Sequence, residues 1–418
     1  MNRYYTIQDR IDKVNRWKII CKKISNDDND IILDNSYHIQ NDISDFIEKI
    51  RIENGEMTLL NEKQGTYGFP FETILDGEKW FTKLMVYDLE LDDSLTCNLN
   101  YDKLIPEDKI VFHKKVVLER HISVNTEPKI NSILNKLIFD KINPHICILY
   151  GTTELLESKH KDIIQMLVNR YKKEDKECLL DMAKVMNTEW ADLGDLTDYI
   201  KTNFKKWSLD TWRALLFQMI SMLALIQEKY PSFRHNDLSM ANILVQSTVK
   251  EGVEDTKSTG YYKYHINGKD YYVPDVGFRI MMTDFDYASI KELDIWNEKL
   301  DNKQSRGFGA VSNENKSFDT HMMLNWLSVW ILKLHNYKDT NNDTIGEIKD
   351  FIYELIDEKY RGNANRYVKH TRLKNGKKVI PKLIPLHILE NNKLFEKYRT
   401  NTYFTENDIL IEEYNTLS

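Results

Sequence analysis

The chain opens polar and only becomes patterned after about fifty residues. Residues 1–55 hold an Asp/Asn-rich break, "SNDDNDIILDN", and read as short helices or extended segments around a loop. From 56 apolar positions alternate over short runs, and "MTLLNEKQGTYGFPFETILDGEKWFTKLMVYDL" predicts three strands. The first two join through Gly65 and Gly68. The next two join through Asp76-Gly77, a pair suited to a two-residue hairpin turn. A variable stretch of roughly 90–123 follows. Ile130, Ile133, Leu134, Leu137 and Ile138 then recur at helical spacing, with Pro128 where a first helical turn tolerates it.

After Pro144 the run "ICILYG" predicts a buried strand, and "CLLDMAKVM" predicts another, leading into "NTEWADLGDLTDYI". A long amphipathic helix is expected over about 209–229, with Leu215, Met219, Met222, Leu223 and Ile226 on one face. "YYKYHINGKDYYV" reads as two aromatic-rich strands about Asn267-Gly268, and "FRIMMTDFDYAS" as an apolar strand ending at Asp284. Segments beyond 318 look mainly helical. A strand-rich half with one helix followed by a helix-rich half predicts an α+β protein of two lobes with a cleft between them.

Bulk composition narrows the class. Of 418 residues, 41% are hydrophobic and 29% charged, and the net charge is -7, which fits a soluble globular chain and argues against a nucleic-acid coat. Cys21, Cys97, Cys147 and Cys178 form no CxxC pair, so a reducing compartment is expected rather than a disulfide framework or a zinc site. No window approaches a membrane span, and no partner membrane is expected.

Candidate chemistry concentrates in two places. In "FRHNDLSMANILV", Asp237 and Asn242 stand five apart ahead of an apolar run, and Asp284 closes a second apolar strand. Magnesium prefers oxygen ligands and commonly bridges carboxylates to substrate phosphates, so one carboxylate with one amide oxygen is a sensible pair. A second carboxylate nearby could orient an attacking hydroxyl. Taken alone, each has a plainer explanation: Asn, Asp and Ser favour turns, and a lone histidine such as His235 is often a core residue.

The pattern resembles the protein-kinase catalytic core, whose catalytic loop reads HRDxxxxN and whose metal loop reads DFG. Here the corresponding runs are His235-Asn236-Asp237 with Asn242, and Asp284-Phe285-Asp286. The chain looks closest to the kinase-like proteins of large double-stranded DNA viruses, over roughly residues 56 to 400. The resemblance implies a strand-rich N-lobe with one main helix over 56–190, a helix-rich C-lobe over 191–400, an extension at 1–55 and a tail at 401–418. It implies ATP and Mg2+ as cofactors, a protein as phosphate acceptor, and the cytoplasm of an infected cell, or the virion, as the setting.

Carried over by position, Asp237 engages the acceptor hydroxyl, Asn242 and Asp284 hold magnesium, and His235 braces the loop. Gly65 and Gly68 correspond to a reduced glycine-rich loop over the phosphates. Lys83 is the candidate for the α/β-phosphates, with Lys115 as a rival, and Glu127 its helix partner, although a Glu at a helix start is favourable for dipole reasons too. Thr188, Glu189, Trp190 and Ala191 match the segment that meets adenine, Asp195 reaches the ribose, and Asp319 buttresses the catalytic loop from behind.

Several positions depart from that pattern. Asn236 replaces the arginine that gathers an activation-loop phosphate, so control by that route is not expected. Ser239 stands where many Ser/Thr kinases place a lysine against the transferring phosphate. Asp286 replaces a glycine, which implies a metal loop held in one state. No APE lies between Asp284 and Asp319. A small-molecule kinase and a pseudokinase acting as a nucleotide-binding or scaffold protein therefore stay open beside the protein kinase. The basic stretch 361–378 reads as a solvated loop and hairpin about Asn375-Gly376, or as a docking site for an acidic partner.

Overall fold

The computed structural model describes residues 4–25, 56–60, 68–87, 123–156, 179–250, 260–301, 310–334, 342–361, 379–401, 404–405 and 407–415. Gly65, Lys115, Cys97, Cys178 and residues 362–378 of the basic stretch lie outside them. The chain is α+β and divides into two compact units, one of residues 1–11, 133–147 and 191–418, the other of residues 12–132 and 148–190.

The second unit is organised by an antiparallel sheet of β1 (Glu56–Leu59), β2 (Gly68–Leu75), β3 (Glu78–Tyr87), β4 (Leu149–Leu156) and β5 (Leu179–Glu189), in the order β1-β2-β3-β5-β4. The β2–β3 turn is Asp76-Gly77, both left-handed (φ 52° and 76°), as a twist-matched two-residue hairpin demands. Alternation then sorts the side chains. Phe69, Phe71, Thr73 and Leu75 of β2 and Trp80, Thr82 and Leu84 of β3 are buried on one face. Polar groups there satisfy one another: Trp80 Nε1 and Thr82 Oγ1 both donate to Asn187 Oδ1, at 3.0 and 2.8 Å. Thr82 has then used its only hydroxyl proton, so Thr73 Oγ1 donates to it, at 2.7 Å. The opposite face carries Lys83, opposite Met186 in the register.

Two expectations shift. The run at 146–148 is not a strand: Cys147 donates its N–H to the Met282 carbonyl, and β4 begins only at Leu149. The main helix of the strand-rich half, α2, spans Ser123–Phe139, with α1 (Ile7–Ser25) before it. Pro128 therefore lies inside α2 rather than in its first turn. The turn before it, too polar to show an apolar period, is helical because Val124 and Glu127 are buried there.

The first unit is built around α4 (Leu209–Lys229), which follows α3 (Leu196–Asn203). Its N-cap is Ser208, whose side chain accepts from Thr211 N–H. The expected one-sided face is too narrow, because every residue from Ala214 to Gln227 is buried. Neighbours close in all round: Phe217 alone meets the rings of Tyr264, Tyr271, Phe395 and Tyr398. A helix buried all round is apolar all round, so the expectation that no window approaches a membrane span fails for α4: it is long and apolar enough to cross one, yet most of it is buried in the unit as a core helix.

Around it lie the antiparallel pair β6 (Ile243–Ser247) and β9 (Phe278–Met282), and the hairpin β7 (Gly260–Ile266)–β8 (Lys269–Pro274) with its left-handed Asn267-Gly268 turn. The short pair β10 (Ser289–Ile290)–β11 (Ile295–Trp296) follows, then α5 (Phe318–Leu334), α6 (Asn342–Leu355) and α7 (Pro385–Asn391). The last strand, β12 (Ile409–Tyr414), pairs in parallel with β7. Residues far apart in sequence meet here. Arg279, 3% exposed, donates from Nη2 to Glu412 Oε2 (3.1 Å) and Tyr414 OH (3.2 Å), and Ile7 N–H donates to Glu412 Oε1 (2.8 Å). Single removal of either buried partner would leave a charge without its counterpart, so this pair ties β12 to the unit.

Candidate functional site

The loop between Phe233 and Ile243 is held from behind. Asp319, in the first turn of α5 and fully buried, accepts the backbone N–H groups of His235 (2.7 Å) and Asn236 (2.9 Å) on its two carboxylate oxygens. Asn236 needs that support because its φ is 64°, in the left-handed region that asparagine tolerates better than most residues. His235 Nε2 is 2.9 Å from the carbonyl of Thr283, which can only accept, so this nitrogen carries the proton. The imidazole thereby couples the loop to the end of β9.

At the tip, the Asp237 carbonyl accepts from Ser239 N–H (2.9 Å) and from Asn242 Nδ2 (2.8 Å). That second bond orients the amide: with Nδ2 turned to Asp237, Oδ1 of Asn242 points the other way and accepts nothing from the described residues. β6 and β9 pair so that Ile243 faces Met282, and Thr283 N–H donates to the Asn242 carbonyl at 3.1 Å. Asp284 is thus the next residue beyond Asn242's partner. Its backbone is left-handed (φ 62°, ψ 67°), a conformation costly for a non-glycine residue and found disproportionately at functional sites. Phe285 is buried beside His235, ring centroids 5.5 Å apart. Ser239 is half-buried, and no side-chain capping bond ties it to the short 3-10 turn it precedes.

These donors fit magnesium. One carboxylate and one pre-oriented amide oxygen are hard ligands, and no cluster of three His, Cys, Asp or Glu occurs among the described residues. Magnesium characteristically takes one or two protein carboxylates and completes its shell with waters and substrate phosphates.

In the other unit, Lys83 of β3 reaches Glu127 of α2, its Nζ 3.0 and 2.8 Å from the two carboxylate oxygens. Glu127 is 2% exposed and Lys83 18%. Gly68 sits against this lysine as the first residue of β2, not in a loop: a Cβ there would come 2.8 Å from Lys83 Cε and 3.0 Å from Cγ. Its lack of a side chain makes room for Lys83.

At the end of β5, Thr188 is buried and Glu189 Oε1 accepts the Ile148 N–H at 2.7 Å, fixing the strand end. Trp190 is half-buried with Lys79 Nζ 4.3 Å from its ring centroid. Ala191 lies in the first unit, where its carbonyl accepts from Gly194 N–H. Asp195, assigned to a ribose, is the N-cap of α3 and accepts the Asp198 N–H at 3.0 Å through Oδ1.

Two contributors escaped the sequence reading. Asn297, on the segment after β11, donates to Asp286, and Lys299 faces the same carboxylate. Neither carries a motif. The left-handed backbone at Asn236 was not foreseen either, although asparagine is a residue type that tolerates φ > 0.

No family model matches the chain. A protein of Acanthamoeba polyphaga mimivirus is 29% identical over 297 residues, covering 67% of this chain and 60% of the relative. A second mimivirus protein is 28% identical over 155 residues, 37% of this chain and 34% of the relative. A protein of Invertebrate iridescent virus 6 is 25% identical over 155 residues, 37% of this chain and 25% of the relative. All three bear serine/threonine-protein kinase names, and the chain spans at most 60% of their lengths. The chain is similar to protein-kinase-like proteins of large DNA viruses.

Proposed function

We propose that this chain is an ATP- and magnesium-dependent serine/threonine protein kinase with the bilobal protein-kinase-like fold. One observation carries the reading: the Asn242 amide is turned by the Asp237 carbonyl so that its oxygen is presented as a hard ligand, while the Asn242 backbone carbonyl accepts from Thr283, the residue before the strained Asp284.

In this reading Asp284 and Asn242 hold Mg2+, which when bound neutralises charge on the phosphates of ATP. Lys83, aligned by Glu127, binds the α/β-phosphates. Thr188 to Ala191 meet the adenine. Asp237 accepts a hydrogen bond from the Ser or Thr hydroxyl of a protein and orients it. The new O–P bond forms as the bond between the γ-phosphorus and the β,γ-bridging oxygen breaks, and the hydroxyl proton passes to Asp237. Positioning and charge placement supply most of such catalysis. Ser239 adds no positive charge at the transferring group, so a low turnover is expected beside a kinase with a lysine there.

The test is transfer of labelled γ-phosphate from Mg·ATP to a protein pool and, separately, to a small-molecule pool, with Asp237→Asn and Asp284→Ala run alongside. Label on Ser or Thr that falls at least about a hundredfold in both variants supports the reading. Label only in small molecules transfers it to a small-molecule kinase. No variant-sensitive label in either pool identifies a pseudokinase.

A further inference from the structure

The segment that follows Asp284 is pinned at almost every residue by hydrogen bonds from the chain itself. Phe285–Tyr287 forms a single 3-10 turn, closed by Ala288 N–H on the Phe285 carbonyl. Asn236 Nδ2 donates to the Tyr287 carbonyl at 2.9 Å. Ser289 and Arg234 exchange two backbone hydrogen bonds, at 2.8 and 3.0 Å. Ser232 N–H donates to Glu292 Oε1 at 2.7 Å, and Lys291 N–H donates to Ser232 Oγ at 2.7 Å.

The centre of this arrangement is Asp286, 7% exposed. Asn297, fully buried and reached only after the β10–β11 hairpin, donates through Nδ2 to both the carbonyl (2.5 Å) and Oδ1 (3.1 Å) of Asp286. Lys299 Nζ lies 3.5 Å from Oδ2. Asn297 is itself held, its Oδ1 accepting the Lys299 N–H at 3.0 Å. An aspartate two residues after Asp284 is thus gripped by backbone and side chain at once. Asp286 is not among the residues with positive φ, so glycine's freedom is not used there. The strain sits two residues earlier, at Asp284, which must be over-determined by its surroundings to persist.

We propose that Asn297 and Lys299 are positioning residues: by clamping Asp286 they hold Asp284 in its left-handed, ligand-presenting backbone, so the loop is set without phosphorylation of the segment. The ligand role of Asp284 rests on the kinase reading above. The clamp itself rests on the hydrogen bonds.

The test uses the full chain in two variants, Asn297→Ala and Lys299→Met, with amide hydrogen exchange and the Mg2+ dependence of turnover as readouts. Two hydrogen bonds to a buried group, one of them to a carboxylate, predict that exchange over 284–290 quickens about tenfold or more in Asn297→Ala. A smaller increase is expected in Lys299→Met, and β7–β8 should be unchanged in both. The half-saturating Mg2+ concentration should rise severalfold, while the KM for ATP at saturating Mg2+ stays near wild type. A residue that merely supports the fold would lower the amount of active protein without moving the Mg2+ dependence. If Asn297→Ala fails to fold, Lys299→Met decides, because Lys299 is part-exposed and outside the core. Unchanged exchange over 284–290, or unchanged Mg2+ dependence in an active variant, overturns the proposal. A wild-type chain without turnover would end the kinase reading, and the exchange comparison would still decide the clamp.

Discussion

Asp319→Asn isolates the support under the loop between Phe233 and Ile243 without replacing any residue that the proposed kinase reaction assigns to substrate. In the wild type, one buried carboxylate receives two backbone N–H groups, from His235 at 2.7 Å and Asn236 at 2.9 Å. Asparagine has almost the same shape, but its Oδ1 can accept only on one side, and its NH2 group then faces the other N–H donor to donor. A hydrogen bond to a charged group contributes about 1.5–3 kcal/mol, and a buried donor left unsatisfied costs about 1–3 kcal/mol. Arg234 adds to the loss. Burial lowers its pKa to about 10 against the opposing pull of the Asp319 carboxylate, so neutralising that carboxylate leaves a buried guanidinium less compensated. The sum, allowing for the weaker bond that survives, is about 2–4 kcal/mol. Urea unfolding of wild type and Asp319→Asn, followed by tryptophan fluorescence, should show a midpoint shift of that size in the transition that carries Trp212, buried in the core of the same unit. A change below about 0.5 kcal/mol would refute the argument, since it would mean that the two N–H groups find equal partners elsewhere.

Two further perturbations probe other parts of the molecule. Gly68→Ala introduces a Cβ against Lys83 Cε and Cγ, and Lys83 cannot swing away without loosening both contacts to Glu127. The variant should therefore bind Mg·ATP several-fold more weakly and melt lower than wild type. A raised Tm, as Gly→Ala in an unobstructed strand produces, would contradict the packing argument. His145 concerns pH. Burial, opposed by the Ile280 hydrogen bond and reinforced by Arg279 and Arg10, pushes its pKa down from 6.5 to about 3. Nδ1 donates to the Ile280 carbonyl and Nε2 accepts from Tyr264, so the folded state holds the neutral ring. Between pH 6.5 and 3 the unfolded chain binds a proton that the folded chain refuses, and stability falls as pH falls through that window. The loss between pH 7 and 5 should be about 2 kcal/mol by denaturant unfolding, and His145→Gln should remove that part of the slope. Identical pH dependence in the two proteins would exclude His145 as its source.

Local chemistry determined a good deal in this chain. Asp76-Gly77 and Asn267-Gly268 make hairpin turns because those residues accept two successive left-handed positions, a property of the residues themselves. Asp237 and Asn242, close together in one loop, and Asp284 at a strand end could be nominated as oxygen ligands from residue type and from the resemblance to the protein-kinase core, whereas the pairing of β6 with β9 is what brings the loop next to Asp284's strand. Lys83 and Glu127 could be nominated as partners, although only the sheet and helix bring residues 44 apart in sequence to within 3 Å.

Tertiary structure decided what depends on neighbours distant in the chain. The first turn of α2 has no apolar period of its own and is helical because it is buried, which moves Pro128 inside the helix and Glu127 off its start. No residue within α4 says that its polar-looking side is also covered. That follows from rings contributed by β7, β8 and the residues after α7. Arg279 gains its counter-charge from Glu412, 133 residues away, and Asp286 gains its clamp from Asn297 across a hairpin. Periodicity reports the surface a segment presents, whereas the partner that covers it, and the charge that satisfies it, are set only when the chain has folded.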